Sequence, residues 1–442
     1  MGINIGVKRT AGWIALIVIS LIPVYLWFHF GPGAKDLVDY GSITHSLGEL
    51  FGLVGMTMFA LTFVLSTRAK FIEDIFGGLD KAYIAHGILG GTALVLILSH
   101  PIFLVLKFVP SQMFTAALYL LPSAYWSVNF GIIALLGMVS LIYITLFTKM
   151  KYHKWKFTHE FLGLMFFIAV LHIFLVRGSV SSDNIFSGYY YYATAVSIIG
   201  LGAFVYSLFI KNRITKNAVY TVEKVKEIGR DSFEIILVPE HKPISYKSGQ
   251  FVFLRVYNHK LSREAHPFSI ASKSNEYRLK VIVKRLGDFT ENISHIKEGD
   301  RVSVEGPYGR FNFYSSPKHD QIWVAAGIGI TPFLGLVDDL DNEKTRNRKI
   351  DLYYSVKDDS DVIGIETLKE AEKRIKGLRV ILWKSSEKGR IDAEKISSIS
   401  GNLNDKELLI CGPSAFKEGI MAGFSAAGVP KKRMHEEAFD FR

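Results

Sequence analysis

The stretch that decides the fold is HGILGGTALVLILSH, residues 86–100, in which two histidines bound a segment without any charged side chain. It lies inside the apolar run 82–108, which is longer than the roughly 20 residues that a helix needs to cross about 30 Å of hydrocarbon. Five further apolar runs of comparable length lie at approximately 11–31, 45–66, 127–147, 159–177 and 190–210. The pattern predicts six membrane-spanning helices in the first half of the chain.

Charge is distributed unevenly along the sequence. Residues 1–210 contain 12 Lys/Arg and 8 Asp/Glu, whereas residues 211–442 contain 40 and 33. This contrast predicts a membrane half joined to a water-soluble half. The chain has a net charge of +11, but its basic residues form no stripe interleaved with aromatic residues. We therefore expect no nucleic-acid partner. The single cysteine, Cys411, excludes a disulfide framework, a Cys-based zinc site and an iron–sulfur cluster with four Cys ligands.

The charges in the short loops predict the orientation of the helices, because Lys and Arg concentrate on the cytoplasmic side of a membrane. Of the Lys and Arg residues that flank the six runs, up to Lys216, twelve fall on one side of the membrane. Only Lys35, Lys107 and Arg177 fall on the other side. We therefore expect a multi-pass protein of the cell membrane with both termini in the cytoplasm. The first run has no small-residue cleavage pattern, so we expect a retained anchor rather than a signal peptide.

Four histidines within the third and fifth runs require an explanation, because ionisable groups are unfavourable in a bilayer. His86 and His100 are 14 residues apart, and His159 and His172 are 13 apart. At 1.5 Å per residue these separations are about 21 and 20 Å, so the histidines form two matched levels on two parallel helices. Neutral imidazole on both sides of a porphyrin iron is a familiar arrangement. The sequence therefore predicts two b-type haems with these four residues as iron ligands.

The four histidines have an alternative interpretation, namely that all of them are core histidines satisfied by hydrogen bonds. In addition, 13 residues on a straight helix leave His172 rotated by about 140° from His159. A helix distortion near Gly163, or two different haem orientations, would remove this discrepancy.

The second half has the pattern of two water-soluble domains. After a polar linker at 211–217, alternating strands indicate a small antiparallel β-barrel over 218–316. Residues 317–442 alternate strands with helices, which predicts an α/β domain with a parallel sheet. The predicted strands lie at 233–238, 251–256 and 277–283 in the barrel and near 321–326, 350–356, 378–383 and 407–411 in the sheet. The predicted fold is thus a six-helix transmembrane bundle in residues 1–210 followed by these two domains.

Two motifs in the α/β domain are suited to a dinucleotide. A glycine-rich turn at 327–332 lies between a strand and a helix, where backbone amides can approach a pyrophosphate, and its candidate binding residues are Gly327, Gly329, Thr331 and Pro332. Cys411-Gly412-Pro413 follows a predicted strand at the edge where such sheets bind ligands. Near the chain end, Phe439 and Phe441 are available to cover a planar ring.

Two motifs in the barrel are suited to a flavin. The segment His266-Pro267-Phe268-Ser269 combines an aromatic face with a hydroxyl donor. The segment 284–290 offers two cations, a glycine and a hydroxyl to a phosphate, namely Lys284, Arg285, Gly287 and Thr290. Each segment alone is typical of an ordinary strand end or turn. Together, before a dinucleotide-type domain, they indicate an FAD site.

Over nearly its whole length the chain resembles the NADPH oxidase and ferric reductase family, which joins a ferric-reductase-like transmembrane domain to a ferredoxin-NADP reductase-like dehydrogenase. The resemblance rests on the histidine spacing, the flavin motifs, Gly306-Pro307-Tyr308-Gly309 and the two nucleotide motifs. It implies that cytoplasmic NADPH or NADH reduces FAD. Electrons would then pass to an inner haem at His86–His159, an outer haem at His100–His172 and an acceptor outside.

The resemblance also implies roles for individual residues. Phe268 and Ser269 would contact the flavin ring, and the flavin phosphates would lie near His266, Lys284 or Arg285, and Thr290. Cys411 would lie beside the nicotinamide, and Phe439 or Phe441 would shield the flavin. Preference for NADPH would rest on Ser355 and Lys357, with Arg390 as a further candidate. Lys357 is equally explained as a solvated charge beside two aspartates.

We expect an enzyme that reduces oxygen outside the cell to superoxide. Leu104, four residues after His100, stands where animal oxidases place a polar group, so a ferric-chelate reductase of the same architecture is the alternative. The loops 109–126 and 178–189 contain no cation cluster for an anionic chelate, which favours oxygen. A membrane protein without haem and with a tethered flavin regulator, or a haem scaffold without activity, is a more distant alternative. No protein partner is evident.

Overall fold

The computed structural model describes residues 5–30, 37–176, 188–211, 218–262, 264–287, 289–311, 319–341, 343 and 348–437. The chain divides into two compact units, Met1–Thr215 and Lys216–Arg442. The first is helical, and the second contains two β-sheets.

Among its described residues the first unit contains six apolar helices that are long enough to cross a membrane, which confirms the predicted number. Its helices are α1 Ile5–Phe30, α2 Tyr40–Ser66, α3 Lys70–Phe76, α4 Leu79–Leu106, α5 Met113–Leu118, α6 Trp126–Phe147, α7 Tyr152–Glu160, α8 Leu162–Leu175 and α9 Gly188–Val205, which continues as a π-helical turn, Tyr206–Ile210. The short helices α3 and α5 were not predicted. Helix α2 is the most enclosed of the spans, and it packs against α1, α4 and α9.

The fifth span is interrupted at Phe161, where α7 ends and α8 begins. The amide of Phe161 donates to the carbonyl of Thr158, three residues back, so the turn is tighter than an α-helical one. Two residues later Gly163 has no side chain, and the ring of Phe204 fills the space that a Cβ would occupy. Of the two explanations that the sequence leaves open, the structure thus shows a helix distortion near Gly163, and His159 and His172 both face α4.

The first sheet of the second unit is antiparallel and curved. Its strands are β1 Ala218–Ile228, β2 Ser232–Pro239, β3 Phe251–Val256, β4 His266–Ser269, β5 Leu279–Lys284 and β6 Arg301–Tyr308. Their order is β4-β3-β6-β1-β2-β5, and a bridge between Ile270 and Val281 links the two edge strands. Alternating apolar side chains fill the interior, as the predicted barrel requires.

The second sheet is parallel throughout. It contains β7 Gln321–Ala326, β8 Ile350–Val356, β9 Leu378–Lys384, β10 Glu407–Cys411 and β11 Met434–Glu437 in the order β11-β10-β7-β8-β9. The helices α10 Thr331–Asp339, α11 Ile365–Arg374, α12 Ser385–Lys388, α13 Ala393–Ser400 and α14 Ser414–Ala426 connect the strands. Four of the five strands were predicted, and the polar β11 was not.

The strand order determines where this sheet can bind a ligand. From β7 the chain proceeds to β8 and β9 on one side and then returns to β10 on the other. The connections after β7 and β10 therefore leave in opposite directions and open a crevice at the carboxyl ends of these two strands. Both predicted nucleotide motifs follow these strands.

Candidate cofactor-binding sites

The structure brings the four intramembrane histidines together as two pairs. The ring centres of His86 and His159 are 6.1 Å apart, and those of His100 and His172 are 6.3 Å apart. Each pair joins α4 to the interrupted span formed by α7 and α8. The pairing is the one that the sequence spacing predicts.

Hydrogen bonds fix the tautomer of three of these rings. Nδ1 of His86 donates to the carbonyl of Thr62 at 2.9 Å, and Nδ1 of His100 donates to Gly48 at 2.7 Å, both on α2. Nδ1 of His172 donates to Ser127 on α6 at 2.7 Å. With the proton on Nδ1, the lone pair of Nε2 is available to a metal.

His159 is held differently from the other three. Its ring stacks on Trp155 with centres 5.2 Å apart, and its Nδ1 lies 3.3 Å from the hydroxyl of Thr145. That hydroxyl donates to the carbonyl of Leu141, so it accepts from the imidazole. Trp155 in turn donates to the carbonyl of Thr145 at 3.2 Å. Sequence reasoning did not identify Trp155 or Thr145, although Trp155 lies one helical turn before His159.

The donor set fits an iron porphyrin in each pair. Two imidazole nitrogens that each bind a metal at about 2 Å, with each ring centre about 1 Å behind its nitrogen, give ring centres roughly 6 Å apart. Both observed separations agree with this value. Between the two levels Phe166 is fully buried and contacts Phe59 and Phe63, so aromatic packing fills the centre of the bundle.

The first flavin motif forms strand β4 at the edge of the curved sheet. His266 stacks on Phe289 with ring centres 4.1 Å apart, and Phe268 lies 6.2 Å from the same ring. Pro267 is paired with Phe253, and Ser269 is buried. The motif therefore forms a partly exposed aromatic surface next to a hydroxyl.

The second flavin motif follows β5 and forms a compact turn. The hydroxyl of Thr290 accepts from the amides of Leu286 and Gly287 and donates to the Gly287 carbonyl, so it holds this turn together. Lys284 lies 3.4 Å from Asp361. The cationic side chain best placed for an anion is Arg285.

Arg285 has an unsatisfied hydrogen-bond donor. Its guanidinium stacks on Phe233 at 4.8 Å, and its Nη1 lies 3.9 Å from Asp231, beyond hydrogen-bond distance. Its Nε is buried and has no hydrogen-bond partner. A buried donor without a partner costs about 1–3 kcal/mol, so this group fits a phosphate ligand.

The two nucleotide motifs meet at the crevice between β7 and β10. Gly329 packs on the backbone of Cys411, where an added Cβ would lie 2.4 Å from the carbonyl oxygen. Gly412 packs in turn on Ala326, where its Cβ would lie 2.9 Å from the alanine Cβ. Gly327 has a φ of +54°, and none of the described atoms lies within 4 Å of its Cβ position. The backbone at Gly327 is therefore open to a ligand beside the start of α10.

The remaining residues of the nucleotide motifs shape this crevice. Thr331 donates to the Ile328 carbonyl at 2.7 Å, and Pro332 occupies the first turn of α10, where its missing amide leaves no bond unmade. Pro413 precedes α14 as its N-cap.

Cys411 is fully buried at the end of β10, between Ala325 of β7 and Glu437 of β11. Burial raises the pKa of its thiol, the negative charge of Glu437 raises that pKa further, and Lys417 acts in the opposite direction. Lys417 donates to the Glu437 carbonyl at 2.9 Å and lies 3.0 Å from Glu436. Cys411 is therefore a neutral thiol, suited to packing rather than to nucleophilic attack.

Two of the residues predicted to select NADPH, Ser355 and Lys357, lie at the carboxyl end of β8, and the third, Arg390, follows α12. Ser355 is within the strand and is partly exposed, whereas Lys357 and Arg390 are exposed. Lys384 nearby contacts Asp359 at 2.8 Å and Glu387 at 3.3 Å. The predicted shielding residues Phe439 and Phe441 lie outside the described residues.

Three parts of the chain match known families. Residues 51–171 match the ferric reductase like transmembrane component, residues 217–312 an FAD-binding domain, and residues 323–421 an oxidoreductase NAD-binding domain. The chain therefore combines, in this order, a ferric-reductase-like transmembrane part, an FAD-binding domain and an NAD-binding domain. This is the domain composition of a transmembrane flavin-dependent oxidoreductase, as the resemblance implies.

Individual relatives each match about half of the chain. The ferredoxin reductase component of 3-ketosteroid-9-alpha-monooxygenase from Rhodococcus rhodochrous is 30% identical over 235 residues, which are 51% of this chain and 66% of that relative. Respiratory burst oxidase homolog protein E from Arabidopsis thaliana is 25% identical over 241 residues, which are 47% of this chain but only 23% of the plant protein. The chain therefore spans two thirds or less of these relatives.

A solved structure shows the same limited likeness. The cytochrome P450 reductase from Amycolatopsis has 22% identity and a TM-score of 0.46, and it covers 50% of this chain and 69% of its own.

The raised thiol pKa gives a direct prediction, since Cys411 is the single cysteine of the chain. Only the thiolate reacts with alkylating reagents, and each unit of pKa increase lowers its fraction about tenfold. We expect native protein at pH 8 to be alkylated at least about tenfold more slowly than protein unfolded in guanidinium chloride. Mass spectrometry gives both rates, with Cys411→Ala as the background. Equal rates would contradict a buried neutral thiol.

Proposed function

We propose that this protein is a transmembrane NAD(P)H oxidase that transfers electrons from cytoplasmic NAD(P)H through FAD and two b-type haems to oxygen outside the cell, giving superoxide. The main support is the arrangement of four histidines as two pairs inside the bundle, because the ring centres of each pair are about 6 Å apart. Bound FAD would supply the conversion of a two-electron hydride into single electrons, and the haems that the four histidines would hold would accept them one at a time.

The residues of the membrane unit hold and orient the proposed haems. His86 and His159 are the proposed ligands of the inner haem, and His100 and His172 those of the outer haem. Three carbonyls and the Thr145 hydroxyl keep the proton on Nδ1 of these rings. With the proton held on Nδ1, the lone pair of a neutral imidazole lies on Nε2, the nitrogen that would bind iron.

The residues of the second unit bind the flavin and the nucleotide. Phe268 and Ser269 are proposed to contact the flavin ring, and Arg285 is proposed to bind a flavin phosphate. The open backbone at Gly327 and the start of α10 are proposed to bind the nucleotide pyrophosphate. Cys411 would form the neutral, packed floor of the nicotinamide pocket, and Phe439 or Phe441 would cover the flavin.

Haem ligation predicts the spectrum of purified protein. The parent should be red with b-type absorption bands, and His100→Ala or His172→Ala should reduce the haem per flavin to about half, because one of two paired sites is lost. His29→Ala is the matched control, since His29 is exposed at the end of α1 and its Nδ1 donates to Tyr25 of the same helix. Absorption spectra and flavin content measure both quantities. A yellow protein with flavin alone would contradict the proposal.

The charge at Lys357 predicts the nucleotide preference. If its ammonium binds the 2′-phosphate, Lys357→Ala should lower the NADPH-to-NADH ratio of kcat/KM about tenfold, equivalent to roughly 1.4 kcal/mol. Lys432→Ala is the control, because Lys432 is exposed and precedes β11 at the other end of the parallel sheet. An unchanged ratio in Lys357→Ala would leave Lys357 as a solvated charge.

The electron acceptor distinguishes the proposed oxidase from the alternative, a ferric-chelate reductase. The alternative is supported by the description of the matched membrane family, a ferric reductase like transmembrane component. Loops 109–126 and 178–189 contain no Lys or Arg, so they offer no cations to an anionic chelate. We expect NADPH-dependent reduction of cytochrome c that superoxide dismutase abolishes. Rapid ferric-chelate reduction without a superoxide signal would reverse the assignment.

A further inference from the structure

The carbonyl that accepts from His100 lies in the interior of α2, where a side chain would ordinarily cover it. In an α-helix the carbonyl of residue i accepts from the amide of residue i+4, and Gly48 therefore has Gly52 as its partner. A Cβ at Gly52 would lie 2.8 Å from Nδ1 and 3.2 Å from Cγ of His100, closer than carbon and nitrogen atoms pack. The missing side chain at Gly52 thus lets the His100 ring reach the carbonyl.

Helix α6 repeats this arrangement on the other side of the same pair. His172 donates to the carbonyl of Ser127, and the residue four positions later is Gly131. A Cβ at Gly131 would lie 2.8 Å from both Nδ1 and Cε1 of His172. Two separate helices therefore present the same device, a carbonyl at position i made accessible by glycine at position i+4.

The His86–His159 pair does not use this device. His86 donates to Thr62, whose i+4 residue is Ser66, and the Ser66 hydroxyl turns away to donate to Phe63. His159 donates to a hydroxyl at 3.3 Å and stacks on an indole. The glycine arrangement is thus specific to one level of the membrane unit.

We infer that Gly52 and Gly131 are positioning residues for the His100–His172 pair, and we refer to them as the ligand-contact glycines. Each leaves room for one imidazole to donate Nδ1–H to a helix carbonyl, which fixes its orientation and directs Nε2 toward the shared haem. A methyl group at either position pushes the ring away and breaks that bond. The inference rests on the proposed function, because it concerns how the second haem is held.

The test compares the ligand-contact glycines with other glycines of the same bundle. Gly52→Ala and Gly131→Ala should each reduce the haem-to-flavin ratio about twofold, with the remaining haem at its parental midpoint potential. Gly91→Ala and Gly202→Ala are controls for helix propensity, because none of the described atoms lies within 4 Å of either Cβ position. Gly55→Ala is the control for tight packing, because its Cβ would lie 2.7 Å from Ile97 and not against a histidine.

The ratio is measured in detergent extracts by pyridine haemochrome and released flavin, so it counts only chains that retain the reductase. Spectroelectrochemical titration then identifies which haem component is lost. The two substitutions lie on different helices, so one reports the effect if the other fails to accumulate. If neither accumulates while Gly55→Ala does, the residues are needed for folding and a positioning role is rejected.

Three further results would overturn the inference. Two haems at parental potentials in both Gly52→Ala and Gly131→Ala would show that the rings need no such space. Equal haem loss in Gly55→Ala would attribute the effect to general packing. Loss of the haem proposed at His86–His159, with the haem at His100–His172 retained, would show that the glycines do not act on the pair they contact. A parent chain without haem would refute the proposed function itself, and the two failures are therefore distinguishable.

Discussion

The membrane unit depends on how four imidazole rings are satisfied inside an apolar bundle. A polar ring nitrogen in hydrocarbon needs a hydrogen-bond partner, and three helix carbonyls and one hydroxyl provide it at Nδ1. The second nitrogen of each ring then carries a lone pair, and the rings of each pair are 6.1 or 6.3 Å apart. Hydrogen bonds to protein oxygens alone, the alternative interpretation of these histidines, account for Nδ1. The proposed iron would account for the lone pair at Nε2 as well.

The second unit uses backbone rather than side-chain chemistry to form its binding crevice. The return of the chain from β9 to β10 places the two glycine-containing turns side by side at the carboxyl edge of the sheet. Close approach of Gly329 to Cys411 then requires the absence of a side chain. Both units therefore depend on glycine for the same reason, since a ring or a backbone segment occupies the place of a Cβ.

The large features of this fold could be predicted because they depend on long patterns. Long apolar runs in the sequence predicted the six spans, and short apolar segments between turns predicted β7 to β10. The histidine pairs followed from two nearly equal spacings. Strand β11 escaped prediction because its four residues are mostly polar, and His435 is accommodated by a bond to buried Glu407 at 2.6 Å. Helices α3 and α5 are too short to produce a clear period.

The details of the candidate sites could not be predicted, because backbone carbonyls have no signature in a sequence. Nothing distinguishes the carbonyl of Gly48 or Ser127 from its neighbours until the tertiary structure brings a histidine to it. Glycine in an apolar helix is equally typical of helix–helix packing. Trp155 could have been suspected as a stacking partner from its spacing to His159, whereas the acceptor role of Thr145 depends on where α6 ends.

The most direct test of the central claim is an experimental density map of the purified, full-length protein in a membrane mimetic. Our account predicts a flat, porphyrin-sized feature with a strong central peak between His86 and His159, and a second one between His100 and His172. Side chains that fill both spaces, with imidazole nitrogens bonded to protein atoms only, would contradict it.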